Sequence, residues 1–149
     1  MQESKDAAII SIPTNTKLPS KMVYFVRWQA DHDPQVNRDS IESLVANVVQ
    51  QADKDGFKSI AFPAIGCEEP GCSISISAQI LIDEVVRWVL KSSITVTFVI
   101  LNRRTDIQEE FEKQINRYKK QGQISTPVGN GTIFVEKGNI TKQNVIYFR

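Results

Sequence analysis

The chain has 149 residues, of which 41% are hydrophobic and 23% are charged, and its formal net charge is +1. This length is enough for one domain with a buried core, and the composition is ordinary for a globular protein. So small a net charge excludes a strong general attraction to nucleic acids or acidic membranes. No segment reaches the roughly 18 consecutive apolar residues of a membrane-spanning helix. We therefore predict neither a nucleic acid nor a membrane as partner.

The first third of the chain predicts two strands and a helix. Apolar and β-branched residues fill both strands, and Pro13 ends the first. The helix is predicted to begin after a polar loop, at a capping box that starts with Asp39, and to end at Gly56. The predicted strands are 7–12 and 22–28, and the predicted loop is 29–38.

The rest of the chain alternates strands with helices before it closes on two short strands. Ser73 or Ser75 is predicted to cap the second helix, and a capping box at Thr105 opens the third, which Gly122 ends. The apolar run 94–101 is typical of a strand at the centre of a parallel sheet. The predicted strands are 59–65, 94–101, 132–136 and 144–148.

This order predicts an α/β fold, with a mixed and mainly parallel sheet between helices on both faces. We expect a single domain over residues 1–149, whose weakest join is 121–131. Ligands of such folds bind at the carboxyl ends of the strands. Residues 66–72 follow the buried strand 59–65 and therefore lie at such an end.

The loop that holds Gly66 and Gly71 is the strongest candidate for a binding site. A buried strand that leads through a glycine-containing loop into a helix brings backbone N–H groups together, and the helix dipole favours an anion. Glu68 and Glu69 in the same loop oppose an anion by their charge. The two glycines could equally serve only to shape a tight turn, and the sequence leaves both interpretations open.

The loop also carries both cysteines of the chain, Cys67 and Cys72. They lack the further ligands that a zinc site needs, so we predict no metal and interpret them as free thiols in the nucleus or cytoplasm. The polar N-terminus predicts no signal peptide. A compact Asp31-His32-Asp33 cluster follows the second strand. It is interpreted as a solvated turn, with a catalytic acid-base group as the alternative.

Residues 57–67, with the sequence FKSIAFPAIGC, resemble the signature strand and loop of macrodomains, the modules that bind ADP-ribose. The resemblance extends over residues 7–118 and is closest to the tandem macrodomains of vertebrate poly(ADP-ribose) polymerase proteins. It implies a three-layer α/β/α fold, with ADP-ribose or ADP-ribosylated proteins as partners. We predict no cofactor and no catalytic residue in this domain.

The resemblance also implies a set of ligand-binding residues, some of which depart from the family pattern. Glu68 stands where the family's phosphate loop usually has its middle glycine, and Asn139 stands where the family has an adenine-reading aspartate. Both changes predict weakened binding, because a like charge is added and a charge-assisted hydrogen bond is lost. The implied residues are Ser59, Ala64, Ile65, Gly66, Cys67, Glu68, Gly71, Cys72 and Asn139.

The end of the chain resembles the beginning of a macrodomain, since residues 135–146 look like the family's opening strand pair. Two explanations stay open. The segment 123–149 could begin a second, truncated domain after a family core at 1–122. Alternatively, it folds back into the positions of the missing strands and gives a circularly permuted domain.

Three functions are compatible with these features. The first is a binding module for ADP-ribose or ADP-ribosylated protein, with weakened affinity. The second is a degenerate macrodomain that acts as a protein-interaction scaffold. The third is an ADP-ribosyl hydrolase, which would need a general base such as His32 or a nucleophile such as Cys67.

Overall fold

The computed structural model describes residues 9–13, 21–92, 94–120, 132–137 and 145–148, and every structural statement below concerns these residues. They form six strands and three helices in the predicted order. The elements are β1 (Ile10–Pro13), β2 (Met22–Phe25), α1 (Pro34–Lys54), β3 (Ser59–Pro63), α2 (Ile74–Val89), β4 (Thr95–Ile100), α3 (Thr105–Lys120), β5 (Thr132–Lys137) and β6 (Val145–Phe148).

All six strands belong to one mixed sheet with the order β1-β2-β6-β3-β4-β5. Strands β3, β4 and β5 are parallel to one another. Strand β6 runs antiparallel to both of its neighbours, β2 and β3, and β1 is antiparallel to β2. Strand β4 lies between two parallel strands, as its apolar sequence predicts, although its neighbour β5 is the edge of the sheet.

The prediction that Asp39 caps α1 is wrong, because the helix begins earlier, inside the predicted loop. Asp33 is the N-cap residue, and its side chain accepts a hydrogen bond from the amide of Gln35 at 2.8 Å. Pro34 follows as the first helical residue, where its fixed φ is favourable and its missing N–H costs nothing. Asp39 lies within the helix and accepts from Gln35 Nε2 at 2.8 Å.

Two further boundaries also depend on local chemistry. Ser73 is the N-cap of α2 and accepts from the amide of Ile76 at 3.3 Å, which selects it over Ser75. Strand β2 ends at Phe25 rather than at Trp28, because its ladders with β1 and β6 both stop there. Beyond that point Trp28 is half-buried against the core, and its Nε1 donates to Ser40 Oγ at 2.9 Å.

The core lies between one face of the sheet and the three helices. Side chains two residues apart on β3 and β4 enter the same hydrophobic cluster as the apolar stripes of α1, α2 and α3. Phe98 lies between Phe62 on β3 and Phe111 on α3, with ring centroids 6.1 Å and 4.9 Å apart. Six buried strand residues belong to this cluster: Tyr24, Ile60, Phe62, Val96, Phe98 and Ile100.

The three helices share a face for a topological reason. The connections β2-α1-β3, β3-α2-β4 and β4-α3-β5 all cross the sheet in the same direction, and right-handed crossovers then place their helices on the same side. The predicted α/β class with a mixed sheet is confirmed. The predicted helices on the opposite face correspond to no described element.

The last two strands both pair with this sheet. Strand β5 forms its edge beside β4, and β6 occupies a central position between β2 and β3. Val23 and Ala61 flank Tyr147 on either side. This pairing is the arrangement expected if the tail folds back, whereas the assignment of residues 1–149 to one domain stays a prediction.

We expect removal of residues 144–149 to destabilise the chain by several kcal/mol, because β2 and β3 would both lose a ladder whose hydrogen bonds contribute about 1 kcal/mol each. Urea unfolding and amide exchange of β3 would measure the effect. Removal of Arg149 alone is the matched control. Unchanged stability and unchanged protection of β3 would show that the tail belongs elsewhere.

Candidate functional site

Three loops meet at one edge of the sheet. Strands β2, β3 and β4 run in the same direction, since β2 and β3 are each antiparallel to the β6 strand between them. The loops that leave their carboxyl ends therefore lie side by side, and each leads into the first turn of a helix. Ligands of open α/β sheets bind at this edge, and the three helix dipoles favour negative charge there.

The loop between β3 and α2 is fixed by Gly66. This residue has φ of +79°, a left-handed conformation that glycine adopts without strain. A Cβ at this position would lie 3.1 Å from Ser77 Oγ and 3.4 Å from Ile41 Cδ1, so the backbone touches α1 and α2 directly. Ser77 Oγ also donates to the Gly66 carbonyl at 3.2 Å. Gly66 thus holds the loop against both helices.

The first half of the loop is turned toward the core. Ile65 and Cys67 are 5% and 3% exposed, and Gly66 between them is buried. The amide of Ile65 donates to the Pro63 carbonyl at 3.0 Å, and that of Cys67 donates to the Ala64 carbonyl at 3.2 Å. Within the described chain, no hydrogen bond engages the amides of Gly66 and Glu68, so both are available as donors to a ligand.

The second half of the loop, residues 68–72, faces outward. Glu68, Glu69 and Gly71 are exposed, and Cys72 is half-buried. The amide of Cys72 donates to the Glu69 carbonyl at 3.2 Å, which closes a second turn around Gly71 with φ of +82°. Both predicted loop glycines therefore occupy left-handed conformations, but only Gly66 is packed against other elements.

Glu68 points to Arg104, which precedes the first turn of α3. The Nη1 atom of Arg104 lies 3.3 Å from Glu68 Oε1. The guanidinium also donates to both carboxylate oxygens of Asp106, each at 3.1 Å. The hydrogen bond from Arg104 lowers the pKa of Asp106, and the same bond raises the pKa of Arg104. Glu68 is therefore not an uncompensated charge at this edge.

Sequence reasoning did not identify Arg104 as part of the site. Its side chain is 28% exposed, and its carbonyl accepts the amide of Gln108, so it occupies the position immediately before α3. A signal was available in the chain order. Arg104 follows β4 as Gly66 follows β3, and the carboxyl ends of parallel strands share one edge.

The two cysteines are free thiols with different surroundings. Burial raises the pKa of the Cys67 thiol to about 12, against the smaller opposing effect of Arg104. Such a thiol stays protonated at neutral pH and is a poor nucleophile. Cys72 Sγ lies 3.9 Å from Asn37 Nδ2, which connects the loop to the first turn of α1.

Ser59, another predicted ligand-binding residue, lies away from this edge. Ser59 is the first residue of β3 and pairs with Thr95, so it lies four residue steps, about 13 Å, from Pro63 at the other end of the strand. Asn139 lies outside the described residues. Ile65, also among the predicted ligand-binding residues, lies in the loop but belongs to the hydrophobic core.

The acidic cluster after β2 has structural roles. Asp31 Oδ1 accepts from the amide of Asp33 at 2.9 Å, and Asp33 in turn caps α1. Asn37 binds both the amide and the carbonyl of Asp31, at 2.6 Å and 2.9 Å. Both carboxylates therefore accept hydrogen bonds from backbone amides. These bonds support the interpretation of the cluster as a solvated turn.

Two kinds of site are absent from the described residues. They include no group of three or more His, Cys, Asp or Glu side chains that could hold a metal ion. None of their helices is long and apolar enough to cross a membrane. A separate groove of about 590 Å³ lies between α2 and α3, beside Gln79 and Arg117, and contains none of the predicted binding residues.

Comparison with protein families assigns this arrangement to a known class. The sequence model of the macro domain family matches residues 4–81, which is more than half of the chain. The chain therefore belongs to the macro domain family, whose members generally bind ADP-ribose. The matched region includes the loop 64–73 and ends inside α2, so Arg104 lies beyond it. The closer likeness to polymerase-linked tandem macrodomains stays a prediction.

We expect Gly66→Ala to destabilise the protein by about 2 to 3 kcal/mol, since it combines left-handed strain with a forced contact on Ser77. Gly71→Ala is the matched control, because its φ is +82° but nothing lies within 4 Å of the added Cβ. It should cost about 1 kcal/mol, the strain alone. Urea denaturation measures both. Equal losses would contradict the packing role of Gly66.

We expect iodoacetamide at pH 8 to alkylate Cys72 in the folded protein and to leave Cys67 unmodified. The reason is that Cys67 is 3% exposed and its thiol pKa is raised to about 12, so its thiolate is absent at this pH. Peptide mass analysis with and without urea would measure the reaction, and both cysteines should react in urea. Equal labelling of the two thiols in the folded state would contradict this assignment.

Proposed function

We propose that this chain is a non-catalytic module that binds ADP-ribose or ADP-ribosylated protein through the loop 64–73, with weakened affinity. The observation that carries the proposal is Gly66, whose left-handed conformation and contact with Ser77 hold the loop at the carboxyl end of β3. Membership of a family that generally binds ADP-ribose gives the ligand class. The amides of Gly66 and Glu68 are the proposed donors to the diphosphate.

The weakening has two sources in the described loop. Glu68 brings a carboxylate to the position where the diphosphate would bind, and repulsion at intermediate dielectric over 4 to 6 Å would cost on the order of a few kcal/mol without compensation. The buried Ile65 offers only 5% of its surface, so it contributes little contact to a ribose. The departure at Asn139 remains a third, sequence-based reason.

The scaffold function is the second candidate, and one observation favours it. Three amides of the loop, those of Ile65, Cys67 and Cys72, already bond to carbonyls of the same stretch of chain. A loop with fewer free donors is less suited to an anion and can serve only to connect β3 to α2. The protein would then act through its surface, without a nucleotide.

Hydrolysis gains no support from the contacts of Asp31, Asp33 and Cys67. The carboxylates of Asp31 and Asp33 bond to backbone amides, and the pKa of Cys67 is far above neutral pH. A catalytic base must reach the proton it removes, and a nucleophile must be ionised or activated. Location in the nucleus or cytoplasm and the identity of a modified protein partner stay predictions.

Calorimetric titration tests the proposal. We expect ADP-ribose, added up to millimolar concentration, to give a saturable heat, and adenosine to give a much smaller one because it lacks the diphosphate. Glu68→Gly should bind more tightly, since it removes the like charge and restores a small residue. Absence of heat from the folded protein and from Glu68→Gly would overturn the binding function and leave the scaffold.

A further inference from the structure

Arg104 is placed so that it can serve the anion that the loop is proposed to bind. It lies on the loop after β4, adjacent to the loop after β3, and its guanidinium reaches across to Glu68. The positive charge of Arg104 also affects Cys67, the residue next to Gly66. It acts to lower the pKa of the Cys67 thiol, although burial has the larger, opposite effect.

The contacts of Arg104 divide into a firm one and a weak one. Asp106 receives two parallel hydrogen bonds from Nε and Nη2, both 3.1 Å long, and this forked geometry is the strongest that an arginine makes with a carboxylate. Glu68 receives one contact of 3.3 Å, and its side chain is 47% exposed. Exposed single ion pairs contribute little to stability, so Glu68 can be exchanged at small cost.

We propose that Arg104 is a specificity-determining residue that binds a phosphate group of the ligand, and that Glu68 occupies its Nη1 position until the ligand replaces it. This inference rests on the proposed function, and it names the phosphate groups as the part of the ligand that Arg104 recognises. Asp106 is a positioning residue, because it holds the guanidinium plane while the partner of Nη1 changes. A phosphate oxygen and a carboxylate oxygen are equivalent acceptors for an arginine fork.

The exchange explains how a loop with Glu68 in place of a glycine can still accept an anion. Removal of Glu68 from the guanidinium leaves the carboxylate free to turn into solvent, and the incoming phosphate restores the charge balance. The ligand must then compete with an internal carboxylate, which lowers affinity without abolishing it.

Calorimetric titration of ADP-ribose into four variants tests the inference. We expect Arg104→Ala to weaken binding about tenfold or more, since a hydrogen bond to a charged group is lost. Arg104→Lys should recover part of the affinity, because the charge is kept without the fork. Glu68→Gln should strengthen binding, whereas Arg103→Ala, a neighbouring exposed arginine, should change it less than about twofold.

A second series of ligands tests whether Arg104 recognises phosphate or only supports the loop structurally. Arg104→Ala should reduce the binding of ADP-ribose and of inorganic pyrophosphate, and leave any heat from adenosine unchanged. Thermal unfolding of each variant confirms that it is folded.

The outcomes distinguish the two proposals. If the wild-type chain binds ADP-ribose and Arg104→Ala binds equally well, the inference is overturned and the proposed function stands. If neither the wild-type chain nor Glu68→Gln binds, both are overturned. A loss confined to Arg104→Ala, with partial recovery in Arg104→Lys, supports the inference.

Discussion

The contact between Gly66 and Ser77 determines how the candidate site is built. The Gly66 backbone lies so close to α2 that even a methyl group would meet Ser77 Oγ at 3.1 Å, and its carbonyl accepts the Ser77 hydroxyl at 3.2 Å. This approach lets the chain leave a buried strand, turn, and enter a helix while Ile65 and Cys67 stay in the core. After Cys67 the loop turns outward, and Glu68, Glu69 and Gly71 are exposed.

The second feature is the charge balance at the sheet edge. Three helices begin there, and their partial positive charges attract anions. The chain already supplies carboxylates for them, with Asp33 at the cap of α1 and Asp106 in the first turn of α3. Arg104 adds a full positive charge between Asp106 and Glu68. The edge is therefore largely neutralised by its own side chains, so an incoming anion gains less than it would from bare helix ends.

Much of the fold followed from local patterns in the sequence. The order of strands and helices, the Ser73 cap and the left-handed glycine at position 66 are each set within a few residues, where periodicity and backbone preference decide. The start of α1 was wrong because Asp33 and Asp39 both have the chemistry of a cap. Only the proline after Asp33 distinguishes them, and it fixes the first helical residue.

The parts of the site that could not be predicted depend on distant residues. Glu68 and Arg104 are 36 positions apart, and only the adjacency of β3 and β4 brings their loops together. Ser59 was correctly placed at the start of its strand, and that position lies at the opposite end of β3 from the loop 64–73. From the sequence alone, Glu68 is expected to repel a diphosphate. In the structure Glu68 is paired with Arg104, and we propose that an incoming phosphate displaces it from the guanidinium. Since the family match ends before Arg104, a pattern that covers only the first half of the chain includes the acidic residue and omits the basic residue that compensates it.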